Sequence, residues 1–280
     1  MVAKSLGRSL DARDLDYITS NLPTLGWFYR NYFRVTTDGW QHVPASGPTL
    51  VVGSHNGGMA TPDMHMMMYA WFRRFGVERL AYGLMHPDVL DAPLPFGWLS
   101  AAAEKMGALR AEPAMAIAAL RRRATVLVYP GGAEDLFRPH YLRHRIFFAG
   151  RQGFVKLALR EGVPIVPVIS VGAHDTLFVL GNFQQQLRQM GLLELISPPQ
   201  RPLPAFPVYL GLPWGLAVGP VVNFPLPARI HIRFCPPLTF ERSGRAAAGD
   251  REYVEQCFRQ VCEAMQAHLD DLVAEEKDRA

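Results

Sequence analysis

The sequence predicts an α/β fold: a mixed, mostly parallel central sheet flanked by helices, with an N-terminal helical arm ahead of it. Two observations carry this prediction. Short apolar, β-branched runs at Thr49–Val52, Thr125–Tyr129 and Val163–Ile169 alternate with stretches of helical periodicity, the pattern of strand–helix–strand units. The 280 residues are also 49% hydrophobic and 19% charged, enough apolar material for one large core. The expected division is an amphipathic, interfacial arm over residues 1–44 and an α/β domain over 45–280.

Taken in order, Asp11–Tyr29 mixes Leu15, Ile18, Leu22, Leu25, Trp27 and Phe28 with charges and reads as the helix of the arm. Asn31–Trp40 sets Tyr32, Phe33, Val35 and Trp40 beside Arg30 and Arg34. That composition suits an interfacial segment, with rings at headgroup depth and cations on anionic lipid, and equally an edge strand. Thr49–Val52 is a buried strand stopped by Gly53. Met64–Phe75 is a methionine-rich helix, either plain core or the wall of an acyl-chain groove, since methionine fills irregular space. A strand over Glu78–Met85, a helix over Pro93–Lys105 and a short strand at Gly107–Arg110 follow. The helix Pro113–Arg123 ends in three arginines, which suit the negative end of its dipole. After the strand Thr125–Tyr129 come a helix over Gln152–Glu161 and the strand Val163–Ile169, whose two prolines predict a sheet edge or strand start. Pro202–Ala228 is 27 residues without a charge but with seven prolines, too broken for a spanning helix. It reads as an apolar loop lying on a membrane surface or capping an acyl pocket. Arg229–Phe234 returns as a strand, and Asp250–Glu276 closes the chain as a long amphipathic helix.

The chemistry gathers at Leu50–Asp63. His55 falls just past the end of the buried strand, the edge where open α/β sheets bind ligands. Asn56, Gly57 and Gly58 follow with little side-chain bulk, so their N–H groups can approach a developing oxyanion. Asp63 comes next, and a histidine and a carboxylate flanking a glycine pair are the parts of a general-base site. Other readings stand beside this one: His55 as a structural histidine, Asp63 as a helix N-cap, and His55, Asp63 and His65 as a metal site. A second strand runs into Pro130-Gly131-Gly132 beside Glu134 and Asp135, with Arg138, Arg143, Arg145 and Arg151 close behind. The glycines could serve only a tight turn, and the arginines a solvated face. No Gly-x-Ser-x-Gly elbow occurs, so a covalent serine intermediate is not indicated.

Four blocks in this order, over roughly residues 45–240, resemble the glycerolipid (lysophospholipid) acyltransferase superfamily, in its Pro-Gly-Gly branch. They are Ser54–Gly58 through Asp63, Gly107–Arg110, Tyr129–Glu134 and Val163–Val168. Two features depart from the pattern. Seven residues separate His55 from Asp63 where the superfamily usually has four, and Gly132 stands where a glutamate is common. The second departure bears on the acceptor more than on the acyl-transfer chemistry. The resemblance implies an O-acyltransferase that moves a fatty acyl group from an acyl thioester to a hydroxyl of a lysophospholipid or related glycerolipid. His55 would be the general base, Asp63 its orienting carboxylate, and Asn56, Gly57 and Gly58 the oxyanion loop. Arg110, Gly131, Gly132, Glu134, Arg138 and Arg151 would hold the acceptor. No cofactor or metal is implied beyond acyl-CoA or acyl-ACP as co-substrate. A non-catalytic lipid-binding protein and an esterase or thioesterase are the rival functions on the same fold.

The net charge of +4 favours anionic partners such as headgroups, phosphates or coenzyme A. No basic tract is interleaved with aromatics, so nucleic acid is not expected. The expected partners are a lipid acceptor, a thioester donor (with acyl carrier protein as one carrier) and a membrane surface. Cys235, Cys257 and Cys262 are odd in number and lack metal spacing, and Met1–Asp16 lacks an apolar signal core. The expected location is therefore peripheral, on the cytoplasmic face of a membrane, in phospholipid or related lipid synthesis.

Overall fold

The computed structural model describes residues 6–91, 97–196, 203 and 205–279. Its seven-stranded sheet contains β1 (Thr36–Asp38), β2 (Thr49–Gly53), β3 (Ala81–Met85), β4 (Ala108–Arg110), β5 (Thr125–Val128), β6 (Ile165–Val171) and β10 (His231–Phe234). A second sheet contains β7 (Phe178–Asn182), β8 (Pro207–Gly211) and β9 (Gly215–Val218). The large sheet runs in the order β1-β10-β6-β2-β5-β3-β4. Strands β6, β2, β5, β3 and β4 are mutually parallel, and β10 pairs antiparallel to β6. The predicted mixed, mostly parallel sheet is what forms.

Helices cover both faces. They are α1 (Leu15–Trp27), α2 (Pro62–Phe75), α3 (Pro87–Leu90), α4 (Gly97–Met106), α5 (Pro113–Arg121), α6 (Gly132–Leu136), α7 (Gly153–Glu161), α8 (Gln184–Gln189), α9 (Leu193–Ile196), α10 (Gly244–Gly249) and α11 (Arg251–Asp278). Strand alternation sorts the core into two layers. Leu50 and Val52 pack with Ala119 of α5, Val155 of α7 and Val261 and Met265 of α11. Val51 faces the other way, onto Met66, Met67, Trp71 and Phe72 of α2 and Ile18 of α1. Pro62 opens α2 in the first turn, where its missing N–H costs nothing. Asp250 caps α11 by accepting the Tyr253 N–H at 3.1 Å.

Two expectations change. Strand β6 is not at an edge: it lies between β10 and β2. Pro167 is tolerated there because β10 has ended at Phe234, and the chain rejoins β6 only at the Ile165–Leu238 bridge. Opposite the proline, only its carbonyl is used, accepting the Cys235 N–H at 2.8 Å. The stretch from Pro202 is only partly the expected loop: 219–228 stays outside the strands, but the segment before it does not. Residues 207–218 form a hairpin that extends the β7 strand into an antiparallel sheet, which satisfies the backbone groups that the prolines leave. Of the two readings of Asn31–Trp40, the edge strand forms: Thr36–Asp38 takes the edge of the large sheet beside β10, with Phe33 buried just before it. Pro93–Phe96, Pro202 and Pro204 lie outside the described residues.

Candidate active site

The C-terminal ends of β2, β5 and β6, three adjacent strands, deliver His55, Tyr129 and His174 to one edge of the sheet. His55 is half-buried, and its ring stacks on that of Tyr129 with centroids 4.6 Å apart. Gly53 makes the stack possible, since a Cβ there would lie 2.5 Å from the Tyr129 ring. The backbone N–H of His55 donates to Asp135 at 2.6 Å, so the first residue of the loop is fixed from α6.

Asp135 is the anchor of the site and is fully buried. It accepts from the Ser54 hydroxyl at 3.0 Å and pairs with Arg138 one turn later. Burial pushes its carboxyl up to about 7 against the pull of Arg138 and these donors. Arg138 also donates to Asn56 Oδ1 at 2.9 Å and to the Leu142 carbonyl at 3.0 Å. Gly131 leaves room for this cluster, because a Cβ there would collide with the Asp135 side chain. The stretch after the second glycine pair therefore clamps the first glycine loop.

The expected hydrogen bond between Asp63 and the His55 ring does not form. Asp63 accepts from Asn56 Nδ2 at 3.0 Å, Ser170 Oγ at 2.7 Å and the Met64 N–H at 2.9 Å. His55 Nδ1 is buried without a partner. The cause is the seven-residue spacing: Gly57, Gly58 and Thr61 all take positive φ, and the chain turns Asp63 into the first helical turn facing Asn56. Asp63 is not the N-cap, a place held by Thr61. Thr61 at φ 37° is a β-branched residue in the left-handed region, a strained conformation of the kind concentrated at functional loops. Gly57 and Gly58 are required by space as well as by φ, since a Cβ would meet Thr176 Oγ1 at 2.5 Å and Leu177 at 2.4 Å. Asn56 is a buried hub whose Oδ1 also faces His174 Nδ1 at 3.2 Å.

Burial and the neighbouring guanidinium of Arg138 push His55 down to about 3, which leaves it a neutral imidazole at ordinary pH. The same causes push His174 to about 3, and its Nε2 donates to the Arg138 carbonyl at 2.7 Å. Burial raises the Tyr129 phenol and the Asp63 carboxyl. A small crevice is lined by Ser54, Asp63, Tyr129, Ser170 and Ile232. Among the described residues no group of three or more His, Cys, Asp or Glu is arranged to hold a metal.

The expected acceptor residues divide. Arg138 is buried inside the site, as above. Arg151 is half-exposed over the second glycine pair, donating to the Gly131 carbonyl at 2.7 Å and pairing with Glu134 at 2.5 Å. A Cβ on Gly132 would lie 3.4 Å from this guanidinium. Glu134 therefore does not hold the His55 ring. Arg110 does not lie beside His55. It sits on β4 at the far edge of the sheet, buried, and binds Asp91 through two nitrogens at 2.9 and 2.6 Å and the Leu6 carbonyl at 3.2 Å. Asp135, Ser170 and His174 are members that sequence reasoning passed over. His174 had a readable signal, a histidine behind a glycine at a strand end, as His55 is.

Residues 115–192 match the family model for diacylglycerol acyltransferase, a stretch that includes Pro130–Gly132, Asp135, Arg138 and His174. An uncharacterized protein of Mycobacterium tuberculosis is 30% identical over 253 residues, which are 90% of this chain and 65% of that protein. Phytyl ester synthase 1, chloroplastic, of Arabidopsis thaliana is 25% identical over 78% of this chain and 31% of its own length. The likeness is to acyltransferases. The crystal structure of the 1-acyl-sn-glycerophosphate acyltransferase PlsC from Thermotoga maritima shares the fold, with a TM-score of 0.50 and 14% identity over 92% of this chain and 79% of that one. The chain spans about two thirds of the length of its mycobacterial relatives, 65% for the one above.

Proposed function

We propose that the chain is an O-acyltransferase of the Pro-Gly-Gly branch, moving an acyl group from acyl-CoA or acyl-ACP to the hydroxyl of a lipid acceptor. The observation that supports this best is the placement of His55 at the end of the central parallel strand, its backbone N–H held by Asp135 and its ring stacked on Tyr129, with the Asn56–Gly58 loop directly after it. His55 removes the acceptor's O–H proton as the oxygen attacks the thioester carbonyl carbon. The tetrahedral oxyanion forms against the loop of Asn56, Gly57 and Gly58, where backbone N–H donors contribute a few kcal/mol, about 3, in comparable sites. Collapse breaks the C–S bond, and the thiolate takes the proton back from the imidazolium. Asp63 serves this chemistry by fixing Asn56 and Ser170, and so the loop. The exposed guanidinium of Arg151 suits a phosphate of the donor or acceptor. A narrow apolar cleft between α2 and the sheet, lined by Met67, Met68, Trp71, Phe72 and Leu127, would take an acyl chain only by opening further.

The test is incubation of the purified protein with labelled oleoyl-CoA or oleoyl-ACP and separate acceptors: lysophosphatidate, dioleoylglycerol and hexadecanol. Acceptor-dependent formation of the acyl product supports the reading. Release of free oleate at the same rate with and without acceptor would make the protein a thioesterase, and no turnover a lipid-binding protein.

We further propose peripheral attachment to a membrane through the small sheet. An antiparallel sheet with one face on the core normally turns a polar face to water. Here Val179, Tyr209 and Ala217 face inward, yet Phe178, Leu180, Leu210, Leu216 and Val218 on the outer face are also apolar and exposed, with Trp214 at the turn 56% exposed. The aromatic arm joins this surface, as Tyr32 donates its hydroxyl to the Pro225 carbonyl at 2.8 Å. Among the described residues no helix is long and apolar enough to cross a membrane. Replacing Leu212, Trp214 and Phe224 together with serine is expected to cut binding to anionic liposomes by about 100-fold or more, since each inserted side chain contributes at least about 1 kcal/mol. Flotation with the liposomes reads the effect, and unchanged flotation overturns the assignment.

A further inference from the structure

The charge-free stretch that ends the small sheet carries one amide. Asn223 is 3% exposed, while its neighbours Val221, Val222 and Phe224 are 38, 40 and 66% exposed. The segment is held in place from several sides. Tyr209 donates its hydroxyl to the Val221 carbonyl at 2.8 Å, Trp214 Nε1 to the Val222 carbonyl at 2.8 Å, and the Phe224 N–H to the Leu212 carbonyl at 2.8 Å. Downstream, the Leu226 N–H donates to the Thr176 carbonyl at 2.9 Å. These bonds fix a strap that turns its apolar side chains outward and a single polar one inward.

That polar side chain ends against the loop of the candidate site. A Cβ on Gly58 would lie 2.9 Å from Asn223 Oδ1, so the carboxamide sits against the glycine loop that begins at His55. Neither Oδ1 nor Nδ2 has a hydrogen-bond partner, and both are buried. Among the described residues, Asn223 is the one side chain with two such atoms. Folding gains nothing from a buried amide that bonds to neither partner, and an apolar side chain of the same size would serve the fold better. Such a group is explained when it pairs with something that arrives later.

We propose that Asn223 binds the polar head of the lipid acceptor at the Gly57–Gly58 loop. This rests on the acyl-transfer reading above and adds the residue that receives the acceptor. The acceptor, and not the donor, is assigned because the strap's other side chains face the apolar surface from which a lipid would enter, whereas the carrier of the thioester is water-soluble. Nδ2 donates to a lone pair of the acceptor oxygen, which leaves the hydroxyl proton for His55. Oδ1 remains to accept a further polar hydrogen of the head.

Asn223→Leu tests this in mixed micelles, where docking to a bilayer is not needed. The probes are oleoyl-CoA with lysophosphatidate, dioleoylglycerol or hexadecanol, whichever the wild type acylates fastest. The expected result is a rise of about tenfold in KM for that acceptor, with KM for oleoyl-CoA and acceptor-independent thioester hydrolysis within about twofold of wild type. The thermal midpoint of the variant should equal or exceed that of the wild type, because two unpaired buried atoms are gone. A lowered midpoint would make Asn223 a structural residue and overturn the proposal. So would an unmoved acceptor KM, or a shift confined to the donor KM, in both of which cases acyl transfer itself still stands. If the wild type acylates none of the three alcohols, the proposed function fails and this assignment falls with it.

Discussion

His55→Ala removes acyl transfer, lowering kcat/KM by about 10²–10⁴-fold, while the protein still folds and binds lipid. The folded state loses little because the ring makes no side-chain hydrogen bond and contributes mainly its stack on Tyr129. Asp63→Asn should cost less. Its carboxylate accepts from Asn56, Ser170 and the Met64 N–H and not from the imidazole, so the substitution loosens the loop and leaves the base in place. Assays of the two variants beside the wild type, with thermal melts of each, read this order. An Asp63→Asn loss equal to that of His55→Ala would show that the carboxylate meets the imidazole during turnover. The state of the base can be read directly. With its folded value near 3, the His55 ring should stay neutral in an NMR titration down to about pH 4. A midpoint near the ordinary value of about 6.5 would mean that the ring is solvated or paired with an anion.

Arg138→Met is the variant with the largest expected effect on stability, a loss of about 3–5 kcal/mol. It strips the partner from Asp135, which is completely buried, and it also breaks the bond to Asn56 and the tie to Leu142. For a chain of this size that loss corresponds to a thermal midpoint lower by roughly 10 °C. Adding Asp135→Asn to Arg138→Met should recover part of the loss, because the double variant no longer buries an unpaired carboxylate. The measurement is thermal or denaturant unfolding of both variants. A single variant within about 1 kcal/mol of wild type would show that the pair contributes orientation but not stability.

The parallel sheet and the position of His55 were legible in the sequence. The signals were local: β-branched runs of four to seven residues, glycines where each strand stops, and helical periodicity between them. A strand end followed by glycines places the next side chain at the sheet's C-terminal edge whatever the rest of the chain does, which is why His55, Gly131 and Gly132 were found. The partners of these residues were not legible. Asp63 was assigned to His55 from proximity in the chain, but the direction of its carboxylate depends on the positive-φ residues Gly57, Gly58 and Thr61 and on Ser170, 107 positions away. Arg110 looked like a ligand-binding arginine because its block resembles one, yet strand order puts β4 at the far edge of the sheet, where Asp91 accepts from both of its terminal nitrogens. Asp135 is hardly distinguishable from Glu134 in one dimension. In three, one is buried against the His55 backbone and the other pairs with Arg151 near the surface. The apolar stretch after Pro202 carried a readable composition but hid its form, since a hairpin with both faces apolar lacks the alternation that marks a strand. Local pattern determined which segments are strands and where the base stands. Only the tertiary structure decided which groups face it, because those contacts join residues whose separation along the chain has no bearing on their separation in space.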